Sequence, residues 1–203
     1  EMNNTPIEKR AKLFEGRNET VKQHDDSFVR EIIVLNLAGQ STKAVEYLNN
    51  SNFHFREGSS RVRDITVDAH LLLGKKYIAE KKYDLALEQF LSTVETPESS
   101  EPARRMGDMR SPQINYYIGL AYEALKQKEK AKSYFTASTE QSVREANYVR
   151  YYQGLSYLRL GNKTKAGEFF NSLIAQGDKL IKQGSEVDFF AKFGEREAEN
   201  VQL

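Results

Sequence analysis

The sequence predicts an all-α solenoid of stacked antiparallel helical hairpins, and three observations predict it. Apolar residues recur at helical spacing on both sides of short polar breaks, as in the stretch from His70 to Pro97, which divides at Glu80 to Lys82. The same small and aromatic residues then return in the same order and spacing: Leu73-Gly74, Tyr77, Ala86 and Phe90; Ile118-Gly119, Tyr122, Ala131 and Phe135; Gly154, Tyr157, Ala166 and Phe170. Finally, the equivalent alanines Ala44, Ala86, Ala131 and Ala166 lie 42, 45 and 35 residues apart, a period of one hairpin.

Those residue types have a physical reason. Glycine and alanine lack bulk, so the two helices of a hairpin can approach closely there, while the tyrosine and phenylalanine fill the space beside the contact. Fully burying one such aromatic is worth roughly 1.5 to 3 kcal/mol. One hairpin cannot cover its own apolar face, so neighbours must stack.

Taken in order, residues 1–26 form a polar segment with one short helix expected around Ile7 to Phe14, ending at Gly16 and covering the first hairpin. The array spans 27–177 as four hairpins, at 27–51, 65–97, 112–140 and 143–177. In the first, Asp25, Asp26 and Ser27 offer N-cap chemistry to a helix from about Phe28 to Ala38, Ile32 replaces the glycine and Leu35 the tyrosine, and Ala44 and Leu48 follow. An insertion at 52–64 breaks the helical pattern with Gly58 and two serines. A second insertion at 98–111 holds Pro102, Gly107 and three arginines, and closes on Ser111-Pro112, an N-cap followed by proline at the first helical position.

Ser142 to Glu145 fits a capping box for the fourth hairpin, whose corner is Gly161-Asn162. Residues 178–203 read as a helical extension. Its Phe189, Phe190 and Phe193 need a surface to cover, either as the start of a further hairpin cut short or as a capping helix folded back on the fourth.

Composition sets limits on function. The 203 residues are 39% hydrophobic and 29% charged, enough for a substantial core. Basic and acidic side chains number 30 and 29, so the net charge of +1 gives no general field for nucleic acid or an anionic membrane. No apolar run approaches the roughly 20 residues that would span a bilayer. The absence of cysteine excludes disulfides and thiolate metal sites and leaves the compartment open. The opening Glu1-Met2-Asn3 reads as the start of a cut fragment, so nothing follows from it about leader segments.

The hairpin pattern resembles the tetratricopeptide repeat (TPR), in which an aromatic residue, Leu-Gly, Tyr, Ala, Phe and Pro follow one another at fixed spacing. His70 stands where the opening aromatic would be. The resemblance covers about Phe28 to Gly177 and implies a right-handed superhelix whose concave wall is built mainly from the first, or A, helix of each hairpin. The stretches from Glu57 to Tyr77 and from Arg110 to Leu125 also resemble the C-terminal helical part of large bacterial multidomain proteins with an N-terminal β-sandwich similar to sugar mutarotases. That second resemblance implies an appendage docking on a carbohydrate-related β domain of its own parent chain.

The TPR resemblance implies a non-catalytic module that binds a protein or peptide in its groove. Counting from the Leu-Gly positions, the partner-binding candidates are Asn36, Leu71, Lys75, Tyr116, Leu120, Glu123, Tyr148, Tyr151 and Arg159, with Asp68, Gln113 and Leu155 on the same faces. An aromatic wall with a few charges suits an extended peptide or an amphipathic helix; alternatively, Tyr116 and Tyr151 pack against neighbouring helices. Some TPR proteins clamp a terminal carboxylate, but Val29, Ile33 and Leu72 hold the matching places here.

Arg61, Arg63, Arg104, Arg105 and Arg110 form an anion site if the two insertions meet, and a solvated loop otherwise. Glu95, Glu98 and Glu101 nearby could neutralise them. His24, His54 and His70 lack metal-ligand spacing, Gly161-Asn162-Lys163-Thr164 lacks the upstream glycine of a phosphate loop, and Asp25-Asp26 is accounted for by a helix start. No catalytic group, cofactor or metal is therefore expected, and no nucleic acid or membrane as partner. Homo-oligomerisation through the phenylalanine-rich end is a further expectation.

Overall fold

A computed structural model describes residues 5–50, 59–94, 109–143 and 147–185. Ten helices occur among them: α1 (Ile7–Lys12), α2 (Asn18–Val21), α3 (Asp25–Leu37), α4 (Ser41–Asn49), α5 (Ser59–Ala79), α6 (Tyr83–Ser92), α7 (Ser111–Ala124), α8 (Lys128–Glu140), α9 (Arg150–Arg159) and α10 (Lys163–Ser185). From α3 onward they form four antiparallel hairpins, with A helices α3, α5, α7 and α9 and B helices α4, α6, α8 and α10. Among the described residues there is no strand, and no helix is long and apolar enough to cross a membrane.

One contact closes three of the hairpins. A Cβ placed on Gly74 would overlap the edge of the Phe90 ring; on Gly119 it would lie 2.6 Å from Phe135 Cε1, and on Gly154 2.5 Å from Phe170 Cε1. The A helix must therefore present bare backbone to the ring of its B helix. The first hairpin exchanges bulk between its helices: Ile32 stands on α3 where the others have glycine, and Leu48 on α4 where they have phenylalanine. Ile32 and Ala44 are fully buried there with Phe28, Leu35 and Val45.

The corner between A and B helices is one backbone motif repeated four times. The amides of Gln40, Lys82, Gln127 and Asn162 donate to Leu35, Tyr77, Tyr122 and Tyr157 carbonyls at 2.8 to 2.9 Å. The residue before each donor turns left-handed: Gly39 at φ 72°, Lys81 at 60°, Lys126 at 60° and Gly161 at 81°. This is the Schellman arrangement, which satisfies the last carbonyls of the A helix. Only two of the four corners use the glycine that the left-handed turn favours.

Packing between hairpins follows a single rule. Each B helix lies against the next A helix (α4 on α5, α6 on α7, α8 on α9), and successive A helices also touch (α3 and α5, α5 and α7, α7 and α9). No successive pair of B helices packs to a comparable extent among the described helices. A two-layer stack with one layer drawn closer curves toward that layer, so the A helices form the inner wall. Between the third and fourth hairpins the contact is polar as well as apolar. Ser156 Oγ meets Ser138 Oγ at 2.8 Å, and Gln153 Nε2 donates to the carbonyls of Ser138 at 3.2 Å and Gln141 at 2.7 Å, all of it buried or half-buried.

Several boundaries differ from the sequence reading. Helix α5 begins at Ser59, so the serines after Gly58 open the second hairpin instead of breaking it. Asp25 and Asp26 lie inside the first turn of α3, with His24 at the N-cap position and no side-chain cap; the carboxylates act there through the helix dipole. Ser111 is likewise inside α7, with Arg110 preceding it. Helix α9 starts only at Arg150, too late for a box at Ser142; Asn147 organises its entry by accepting the Val149 amide on Oδ1 at 3.0 Å. The short α2 was not foreseen; its Asn18 donates to the buried Glu31 on α3 at 3.1 Å and so helps to hold the N-terminal helices on the first hairpin. The stretches 95–108 and 186–203, with most of the second insertion and the three C-terminal phenylalanines, lie outside the described residues.

Gly119→Ala sets roughly 1 to 3 kcal/mol of overpacking against about 1 kcal/mol of helix propensity, and urea denaturation should show a net loss. Gly167→Ala on α10, where nothing lies within 4 Å of the new methyl, should instead gain about 0.5 to 1 kcal/mol. Lys126→Gly should also raise the midpoint, by about 0.5 to 1 kcal/mol, because an L-residue in the left-handed turn carries a cost that glycine avoids.

Candidate functional site

The inner wall is richest where α7 and α9 run side by side. Their sequences place a pair of adjacent tyrosines at the same turn of each helix, Tyr116-Tyr117 and Tyr151-Tyr152. The four rings join, edge to face within each pair (Tyr116 to Tyr117 and Tyr151 to Tyr152, both at 5.5 Å between centroids) and tilted between the helices (Tyr117 to Tyr152 at 5.6 Å, Tyr116 to Tyr152 at 5.8 Å). Such tilted pairs are favoured by the ring quadrupoles and add about 0.5 to 1.5 kcal/mol each beyond their burial. Gln113 Nε2 donates to Tyr152 Oη at 2.9 Å. Burial and the neighbouring Tyr152 hydroxyl push the Tyr117 pKa far above its ordinary value, so the Tyr117 hydroxyl keeps its proton.

Charged groups frame this cluster. Lys75 on α5 places its ammonium 5.8 Å from the Tyr117 ring centroid, within cation–π range. Arg159 on α9 reaches back to Glu123 on α7 at 2.9 Å, an exposed pair that ties the two A helices together and is worth about 0 to 1 kcal/mol. Burial raises the Tyr116 pKa, and Arg159 beside its hydroxyl works in the opposite direction.

At the other end, Arg110 at the entry to α7 is almost enclosed. Its Nη2 donates to Asp68 Oδ1 at 2.7 Å and to Gln113 Oε1 at 2.9 Å, and its Nη1 to the Asp64 carbonyl at 3.1 Å. Burial opposes its charge, and Asp68, Tyr148 and Asp64 outweigh burial, so its pKa stands above the usual arginine value. Arg110 is a bracket between the second and third hairpins.

The expected groove residues divide accordingly. Tyr148 is 56% exposed and Tyr151 48%, and Lys75, Glu123 and Arg159 are also exposed, while Leu120 is half-buried under the tyrosines. Tyr116 and Leu71 are buried instead, Tyr116 against Phe135 and Leu71 in the core around Phe90, and neither offers its side chain to a partner. Asn36 stands apart, on the first hairpin, its Oδ1 buried without a hydrogen-bond partner. Tyr117 and Tyr152, the centre of the wall, were missed. Counting from Leu-Gly selected one tyrosine of each pair, although each doublet was visible in the sequence as a second aromatic one residue on.

The anion site does not come together among the described residues. Arg110 is committed to Asp68, and Arg63 reaches the Thr93 carbonyl at 3.5 Å. Arg104, Arg105 and the side chain of Arg61 lie outside the described residues, as do Glu95, Glu98 and Glu101. No group of histidines and carboxylates with metal-binding geometry occurs among those described. His70 is buried at the aromatic position of its repeat, with Nδ1 2.9 Å from Gln89 Oε1.

These hairpins, with bare glycine under each phenylalanine and an inner wall of A helices, define an α-solenoid of the kind that presents a continuous interaction surface. Residues 112–142 match one family model described as tetratricopeptide repeat, and residues 148–176 match a second of the same description. The third and fourth hairpins are thus tetratricopeptide repeats, and arrays of such repeats generally serve as protein–protein interaction modules. No similar sequence was found among curated proteins. Among solved structures, the crystal structure of MamA aligns over 87% of this chain and 89% of its own, with a TM-score of 0.41 and 14% identity.

Burial holds the His70 pKa below its ordinary value of 6.5, with Gln89 only partly offsetting it. The folded state then binds fewer protons than the unfolded one, so this contribution is intact above about pH 6.5 and is lost as pH falls from there through the lowered folded value. Thermal unfolding should accordingly show a loss of melting temperature between about pH 7.5 and 5.5 that is smaller in His70→Phe.

Proposed function

We propose that the chain is a non-catalytic recognition module that takes an extended peptide or an amphipathic helix of a partner protein along the wall formed by α5, α7 and α9. The observation that carries this reading is the tyrosine wall itself. Tyr117 and Tyr152 are fixed by ring contacts and hydrogen bonds, while the neighbouring Tyr148 and Tyr151 remain about half exposed, with Lys75 on one side and the Glu123–Arg159 pair on the other. Tyrosine offers large contact area with few rotatable bonds, and a cluster of such side chains beside charged groups has the make-up of a binding hot spot. Arrays of this class are generally without catalytic activity, and no nucleophile, base and stabiliser meet on the wall. The anion site read from the five arginines is retained only for loops beyond those described, since Arg110 serves the scaffold.

The test is a paired pull-down from lysate of the source organism, followed by mass spectrometry, with the chain and its Tyr148→Ala/Tyr151→Ala variant as baits. Both side chains are half exposed, so the variant should keep its circular dichroism and most of its melting temperature. A protein retained by the chain should fall at least about tenfold on the variant, the loss of roughly 1.4 kcal/mol of binding. Equal retention by both baits would remove the wall as the recognition site. Retention of nothing but a β-sandwich domain of the same parent protein would make the array an internal support.

A further inference from the structure

The packing rule of the array leaves one helix half covered. Helices α4, α6 and α8 each lie between the A helix of their own hairpin and the A helix of the next, but α10 packs appreciably against α9 alone among the described helices. Helix α9 has 10 residues and α10 has 23; at about 1.5 Å per residue, α10 runs on for roughly 20 Å beyond the length of its partner. In an antiparallel pair the overhang is the C-terminal half of α10. That is where large apolar side chains are exposed: Ile174 at 62%, Leu180 at 63% and Ile181 at 73%. With Leu173 and the open Gly177 they make a stripe at helical spacing, flanked by Asp178, Lys179 and Lys182.

We propose that this stripe is the seat of residues 186–203 of the same chain, which lay Phe189, Phe190 and Phe193 along it as the A helix of a further hairpin would. Three properties of the chain point to this occupant. Phe189, Phe190 and Phe193 fall on one face of a helix, and the roughly 6 Å they span fits within the roughly 11 Å of the stripe from Ile174 to Ile181. They follow Ser185 closely enough for the short turn that an antiparallel return needs. The charges are also complementary. Residues 186–203 carry Glu186, Asp188, Glu195, Glu197 and Glu199 against Lys192 and Arg196, a net −3, whereas α10 carries four lysines against Glu168 and Asp178, a net +2. A second copy of α10 in the same place would set a cationic helix against a cationic helix.

Hydrogen exchange on the full chain and on a Phe189→Ser/Phe193→Ser variant tests this. The amides of 174–182 should exchange on the order of tenfold slower in the parent than in the variant, equally at low and high protein concentration, with the amides of α7 and α8 unchanged as a control for an intact array. Because the chain has no cysteine of its own, Ile181→Cys gives an independent reading: its thiol should react slowly with maleimide in the parent background and rapidly in the double variant. Equal exchange or equal thiol reactivity in the two backgrounds would overturn the proposal. So would protection that rises with protein concentration, which would assign the stripe to a second copy of the chain.

Discussion

The approach of bare A-helix backbone to a B-helix phenylalanine is the contact on which the rest depends. Gly74, Gly119 and Gly154 let the rings of Phe90, Phe135 and Phe170 lie directly on the helix. The ring is then the element that sets the distance between the two helices. With that distance fixed, the tyrosine a turn further along packs beside it, and the four-fold repeated corner can close with the same hydrogen bonds each time. The hairpin becomes a rigid unit with one apolar face left over, and stacking on the next A helix covers that face.

The curvature follows from the same constraint. Because each A helix touches the A helices on either side and the B helices stand further apart, side chains on the inner face converge. The tyrosine pairs of α7 and α9 meet there ring to ring. Lys75 reaches the cluster from α5, and Arg110 fastens α5 to the start of α7. The tyrosine wall is thus composed from three hairpins, none of which would present it alone.

The fold was legible in the sequence because its determinants are local: glycine, alanine and aromatic residues at fixed spacing, and polar corners between apolar runs. Even the degenerate first hairpin could be read, since Ala44 and Leu48 keep the phase although Ile32 and Leu48 redistribute the bulk. Less was legible where backbone geometry outranks residue type. Lys81 and Lys126 occupy left-handed corners with no glycine to announce them. The start of α5 hides behind Gly58 and two serines, which read as a loop although both serines belong to the helix. The wall was legible in part: Tyr148 and Tyr151 are its exposed members, while Tyr117 and Tyr152 at its centre were not picked out. Both tyrosines of a doublet are plausible inward positions by helical periodicity, and only the neighbouring helix decides that Tyr116 is buried while Tyr151 remains accessible. Of the five arginines, only Arg110 has its role decided by the fold, since composition cannot reveal that Asp68 on the preceding A helix claims it.

The polar seam between the third and fourth hairpins bears on how a ligand would be met. Ser138, Ser156, Gln153 and the Gln141 carbonyl lock α8 to α9 in one register, directly behind the tyrosine wall. Sliding one hairpin past the other would strand several buried hydrogen-bonding groups at once, at about 1 to 3 kcal/mol apiece. The wall is therefore held in one arrangement by the scaffold behind it, and on the proposed reading it is preorganised. An incoming segment would have only its own chain to order, which favours slow release once it is seated.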